Sequence, residues 1–292
     1  MERIAIQHFN QTSLRTYYLN FDETGDRSQE FLDVLMDSLL EFVFGINYRN
    51  VNNPQEHQRF FNACEKLYKD PLSRNSQKEG DLGEIILHTL LRKYMGTIPF
   101  TGRLYFSVDK NTSPKSFDII HILPNEAKNI LVLGESKMYR EAKPAIDALV
   151  GDIKAHFKSD YARKQFVRIS ELTNSDNSQD QTEIILPMRQ TINEWELKLR
   201  PNKKKLEDIV DELYVPLLCT YTYDDYNNHK KICDEFIKNY EAEMQELHRY
   251  FTAKDYDCPN CLNILLMLFP VPCKDTLIEE YYKRIDEAGK VD

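Results

Sequence analysis

Apolar residues recur at helical spacing through residues 29–43, where Phe31, Leu32, Leu35, Leu39 and Phe42 fall on one face. They recur again through 78–95, where Leu82, Ile86 and Leu90 form a core stripe beside a polar stripe of Asp81, Glu84 and His88. Gly80 and Gly83 weaken this second helix but permit close approach of a backbone or ligand. Between the two helices the chain is polar and Asn-rich at 47–55, predicts a helix over 58–68, and breaks at 70–76. Short apolar runs predict strands over 14–21, 103–108, 117–123, 130–137, 214–223 and 262–269, with a turn at 125–128. Further helices are expected over 144–157, where Pro144 suits a first turn, and over 228–251 and 275–288; 171–183 reads as a loop. The order predicts an α/β fold, a mixed central sheet flanked by helices over residues 76–292, preceded by a small α+β unit over 1–75 that suits partner contact.

Candidate chemistry sits where these elements meet. The strand over 130–137 is apolar until it presents Glu135 and Lys137, which share a face because strand side chains alternate. An acid and a base on one face of a buried strand are costly without a use. Asp118 heads the preceding apolar run, and Glu84 lies on the helix before that. Asp118 and Glu135 on adjacent strands supply hard oxygen ligands for Mg2+ or Mn2+, with the Ser136 carbonyl as a third. Lys137 is placed to offset charge on a scissile phosphate or to orient the attacking water. Glu84 is expected to bind the metal or support it, and His88, one turn on, to contact a phosphate or carry a proton. His121 has the opposite strand parity and is expected off the site. The ordered set implies metal-dependent hydrolysis of a phosphodiester.

Composition narrows the partners. The chain has 292 residues, 41% apolar and 29% charged, with only 9 Gly, which is ordinary globular usage. A net charge of -9 and a pI near 5.4 count against a protein that grips nucleic acid with its whole surface. The basic residues cluster instead. Lys154, Lys158, Arg163 and Lys164 follow the Glu-x-Lys strand and are the expected DNA contacts, with Lys203, Lys204 and Lys205 in reserve. The first residues lack a signal-peptide core, the longest apolar run is too short to span a bilayer, and six scattered cysteines suit reduced thiols, so a cytoplasmic protein is expected. Cys258 and Cys261 form a lone Cys-x-x-Cys pair followed only by Cys273, a weak zinc signal. No phosphate-binding Gly-x-x-x-x-Gly-Lys-Ser/Thr loop is present, so any nucleotide hydrolysis belongs to a partner.

Glu84, Asp118 and Glu135-Ser136-Lys137 together resemble the PD-(D/E)xK, restriction-endonuclease-like superfamily, from residue 78 to about 270, although Phe117 stands where the motif's name has Pro. More narrowly, the Gly-Asp-Leu-Gly-Glu helix, the Ser-Phe-Asp strand, Leu-Gly-Glu-Ser-Lys-Met-Tyr and the late Leu-Phe-Pro-Val-Pro resemble the HamA family, over nearly the whole chain. That resemblance implies the nuclease component of the Hachiman anti-phage system of bacteria, working as a heterodimer with a HamB-like helicase that supplies ATPase activity and much of the DNA handling. An alternative of another class remains, a non-catalytic adaptor that regulates or recruits a helicase and whose Glu-x-Lys pair is structural.

Overall fold

The computed structural model describes residues 2–9, 12–45, 78–100, 117–157, 186–199, 209–255 and 262–288. Its elements are β1 (Glu2–Phe9), β2 (Thr12–Tyr18), β3 (Phe21–Asp22), β4 (Gly25–Asp26), α1 (Ser28–Phe44), α2 (Lys78–Met95), β5 (Ile98–Pro99), β6 (Ile119–Leu123), β7 (Ile130–Tyr139), α3 (Ala142–Phe157), α4 (Leu186–Leu199), β8 (Glu212–Thr222), α5 (Asp234–Thr252), β9 (Leu262–Val271) and α6 (Lys274–Ala288). Seven strands form one sheet in the order β1-β2-β9-β8-β7-β6-β5, while β3 and β4 make a separate hairpin. The centre is parallel (β2, β9, β8 and β7), and β1, β6 and β5 run antiparallel to their neighbours. This is the mixed α/β sheet expected from the sequence.

Strand alternation sorts the core into two layers. Val132, Met138, Leu218, Met267 and Phe269 face a layer built from α1, α2 and α6. Leu131, Leu133, Leu217, Cys219, Leu266 and Leu268 face α3, α4 and the later half of α5. The parallel strands β8 and β9 are covered on both faces, which is why they read as continuous apolar runs.

Several expectations shift. The boundary placed near residue 75 is not a break in the core: β2 pairs with β9 from Thr12–Ile264 to Thr16–Leu268, and α1 packs in the same cluster as α2. The helix expected over 228–251 starts at Asp234, because a 3-10 turn at Asp224–Asn227 and an extended Cys233 come first. Helix α4 was not expected; it buries Ile192 and Trp195. The strand over 103–108, the helix over 58–68 and the loop over 171–183 lie outside the described residues.

Two close approaches fix α2 on β7. A Cβ on Gly83 would stand 3.1 Å from the Ser136 hydroxyl, and one on Gly134 would stand 2.8 Å from Leu87 Cδ2. The β7–β8 ladder pairs Val132 with Tyr214 and resumes at Glu135 with Leu217; the gap covers Leu133 and Gly134 on one strand and Val215 and Pro216 on the other, and Pro216 has no N–H to give.

Candidate active site

Antiparallel pairing of Ile119 with Gly134 sets Asp118 opposite the Glu135 end of β7. Ser136 holds it there: its backbone N–H donates to Asp118 Oδ2 at 2.8 Å and its hydroxyl to the same oxygen at 3.1 Å. Glu135 is 2% exposed and lies within hydrogen-bonding reach of Asp118. On the same face Lys137 Nζ is 3.7 Å from Glu135 Oε2 and 2.6 Å from Asp152 Oδ2. His156 completes the floor, with Nε2 3.2 Å from Glu135 Oε1 and its ring 4.4 Å from that of Phe117. That contact is close in distance but off-line for a hydrogen bond.

The electrostatics follow from crowding acids in a dry place. Burial, and then the Asp118 charge, push the Glu135 carboxyl well above its ordinary value, and Lys137 only partly opposes this. Burial works against the Lys137 ammonium, but Asp118, Glu135 and Asp152 outweigh it and hold its pKa above that of an ordinary lysine. Lys137 is thus a fixed positive charge at neutral pH and not a base.

Of the expected residues, the structure brings together Asp118, Glu135 and Lys137. Glu84 is buried on α2 and follows Gly83, which packs on Ser136, the residue that holds Asp118. The rest of its polar stripe goes elsewhere. Asp81 accepts from the Tyr282 hydroxyl of α6 at 3.3 Å. His88, expected as an accessory group at the phosphate, is placed instead in the core: its Nδ1 is 3.2 Å from His121 Nε2, and its Nε2 is 3.3 Å from Glu41 Oε2. His121 is off the site, as its parity requires, and contacts Thr97 Oγ1 at 2.8 Å. Among the expected DNA contacts, Lys154 is half-buried on α3, and Lys158, Arg163, Lys164 and the 203–205 run lie outside the described residues. The residues 256–261 that hold Cys258 and Cys261 lie outside them as well.

Sequence reasoning missed Asp152 and His156. The signal was present: they stand one turn apart on α3, and His156 continues the buried stripe of Leu149 and Ile153.

Among the described residues no three His, Cys, Asp or Glu side chains form a ready-made metal cage. The donor set still suits Mg2+, which is bound through one or two carboxylates, with water and substrate phosphate completing the shell. Two adjoining carboxylates, one pushed toward its protonated form by burial and then by the other's charge, are the arrangement that a divalent cation relieves.

A family model described as HamA matches residues 3–285. The chain belongs to the HamA family. It is therefore a component of the Hachiman anti-phage defence system. No curated protein is significantly similar to the chain. No helix among the described residues is long and apolar enough to cross a membrane.

Proposed function

We propose that this HamA chain is a metal-dependent nuclease that hydrolyses DNA phosphodiester bonds and works with a HamB-like helicase. The observation that carries the reading is the cluster in which buried Glu135 adjoins half-buried Asp118 and Lys137 stands between Glu135 and Asp152. A structural ion pair at an exposed strand end would leave Glu135 solvated, whereas it is 2% exposed and carries a raised pKa.

Asp118 and Glu135 would hold Mg2+ or Mn2+, with Glu84 in support from α2. Bound there, the cation supplies charge against the scissile phosphate and acidifies a water. The chain's own residues do the rest. Ser136 keeps Asp118 turned toward Glu135. Lys137, held by Asp152, offers its N–H groups to a phosphate oxygen or to the attacking water. The α2 and α3 layers exclude bulk water from beneath the carboxylates. Lys154, half-buried on α3, is with Lys158, Arg163 and Lys164 the proposed grip on flanking phosphates. An acidic chain with so local a grip suits a partner that delivers the DNA.

The test is digestion of plasmid and single-stranded DNA by the full chain, with and without the ATP-driven helicase, in Mg2+ and in EDTA. Cleavage in Mg2+ that EDTA abolishes supports the reading. Intact DNA under every condition, with the helicase active, favours the adaptor.

A further inference from the structure

A second set of reactive side chains gathers at the head of α5, apart from the cluster on β7. The 3-10 turn Asp224–Asn227 follows β8, and Cys233, extended at φ -140° and ψ 168°, starts the helix. Cys233 Sγ lies 3.4 Å from His229 Nδ1. On the far side of the ring, His229 Nε2 lies 3.3 Å from Asp225 Oδ2. Asp225 is itself anchored: Asn228 Nδ2 donates to Oδ1 at 2.9 Å, and Asn239 Nδ2, from α5, donates to Oδ2 at 3.1 Å. Burial works against its charge, yet these amides and His229 hold its pKa below the ordinary value.

A carboxylate at Nε2 favours the tautomer that carries its proton there, which leaves the Nδ1 lone pair facing the thiol. Nucleophile, base and orienting acid then stand in hydrogen-bonding sequence, the arrangement by which a weak nucleophile is activated. We propose that Cys233 is a nucleophilic thiol, with His229 as its base and Asp225 as the residue that orients the base, and that it exchanges with small disulfides.

The surroundings agree. Cys233 is half-buried, as reactive thiols are, and the Phe236 ring stands 5.9 Å from that of His229, limiting the imidazole's freedom. Asp234 and Glu235 fill the first turn of α5 and offset the pull of the helix end, while exposed Lys230 and Lys231 flank the relay. Activation therefore falls to the imidazole. His229 also lines an open cleft of about 630 Å3 with Phe21, Asp22, Glu23, Asp26 and Lys230, whose acidic residues favour a neutral or cationic reagent beside the imidazole. The other described cysteines differ. Cys219 is fully buried, donates to the Ala142 carbonyl at 3.6 Å, and has its thiol pKa pushed up by burial. Cys273 is exposed, and hydrogen bonds from Thr276, rather than an imidazole, lower its pKa.

In the exchange, the Cys233 proton passes to His229 Nδ1 and the thiolate attacks one sulfur of the disulfide. A new S–S bond forms as the old one breaks, and the departing thiolate takes the proton back from His229. No outside oxidant or reductant is needed.

The experiment follows the full chain, wild type, His229→Gln and Asp225→Asn, through alkylation by iodoacetamide and mixed-disulfide formation with cystamine. Peptide mass mapping resolves each cysteine from about pH 5.5 to 9, and circular dichroism confirms the fold. At pH 7, His229→Gln is expected to slow Cys233 in both reactions by about tenfold or more. Asp225→Asn gives a smaller loss, and Cys273 in the same chain does not change. A Cys233 rate in folded His229→Gln within about twofold of wild type overturns the assignment. Should that variant unfold, an unchanged Cys233 rate in folded Asp225→Asn overturns it equally.

Discussion

Lys137 is tied to Asp152 more closely than to Glu135: its Nζ lies 2.6 Å from Asp152 Oδ2 and 3.7 Å from Glu135 Oε2. Asp152 thus positions the ammonium. Asp152→Asn keeps the shape and removes the charge, and is expected to lower kcat by roughly ten- to a hundredfold with little change in KM. Lys137→Arg is not expected to rescue Lys137→Ala, because a planar fork cannot replace a compact ammonium between two carboxylates. Steady-state cleavage kinetics check both.

The second prediction concerns Glu135 without metal. Its carboxyl is held well above the ordinary value of 4.5, so the folded chain keeps a proton that the unfolded chain releases. In EDTA this residue makes stability fall as pH rises from about 4.5 through the raised folded value. Glu135→Gln should remove that slope and melt higher than wild type at alkaline pH. Mg2+ should raise the melting temperature of wild type and not that of the variant. Scanning calorimetry at several pH values, with and without metal, measures both effects.

The third prediction rests on a closed polar ring in the α1–α2 layer. Arg92 Nε and Nη2 donate to the Glu41 carboxylate at 2.7 and 2.9 Å, and Arg92 Nη1 donates to the Thr97 carbonyl. Glu41 also faces His88, which meets His121, which meets Thr97. Burial opposes the Glu41 charge, but His88 and Arg92 draw its pKa down to about 2. Burial keeps His88 and His121 neutral, below their ordinary value of 6.5. Both kinds of shift act in the same direction. Stability should decline as pH falls below about 6.5, where unfolded histidine takes protons, and again between about 4.5 and 2, where unfolded glutamate does. Arg92→Met strands the buried carboxylate and should cost about 3–5 kcal/mol in urea unfolding at neutral pH.

Gly134 carries the fourth. Gly134→Ala sets a Cβ 2.8 Å from Leu87 Cδ2, and also 3.5 Å from Ile119 and Pro216 side-chain atoms. The closest neighbour is the tip of a side chain, so the cost should be moderate, about 1–3 kcal/mol. Leu87→Ala in the same chain should make the second change cheaper than it is alone, and a double-mutant cycle measures that coupling.

The sheet was readable because its chemistry is local. Apolar runs such as Leu131–Leu133 and Leu262–Phe269 have nowhere to go but a core, and alternation on β7 placed Glu135 and Lys137 together. The same parity correctly removed His121. What escaped depends on distant partners. Strand β1 joins the sheet through β2, and the union of residues 12–45 with the main core depends on β2 meeting β9, a contact no local pattern announces. His88 looked like a site residue because it shares a helix stripe with Glu84, yet Glu41 and His121, brought in by α1 and β6, claim it. Asp152 and His156 were hidden for the converse reason: on α3 they look like an ordinary polar pair until the helix folds back onto β7.

The most direct measurement is DNA cleavage by the full chain with its helicase partner and ATP, comparing wild type with Glu135→Gln in Mg2+. The account predicts Mg2+-dependent cleavage by wild type and a loss of about a hundredfold or more in the folded variant. Cleavage by Glu135→Gln at the wild-type rate would contradict it.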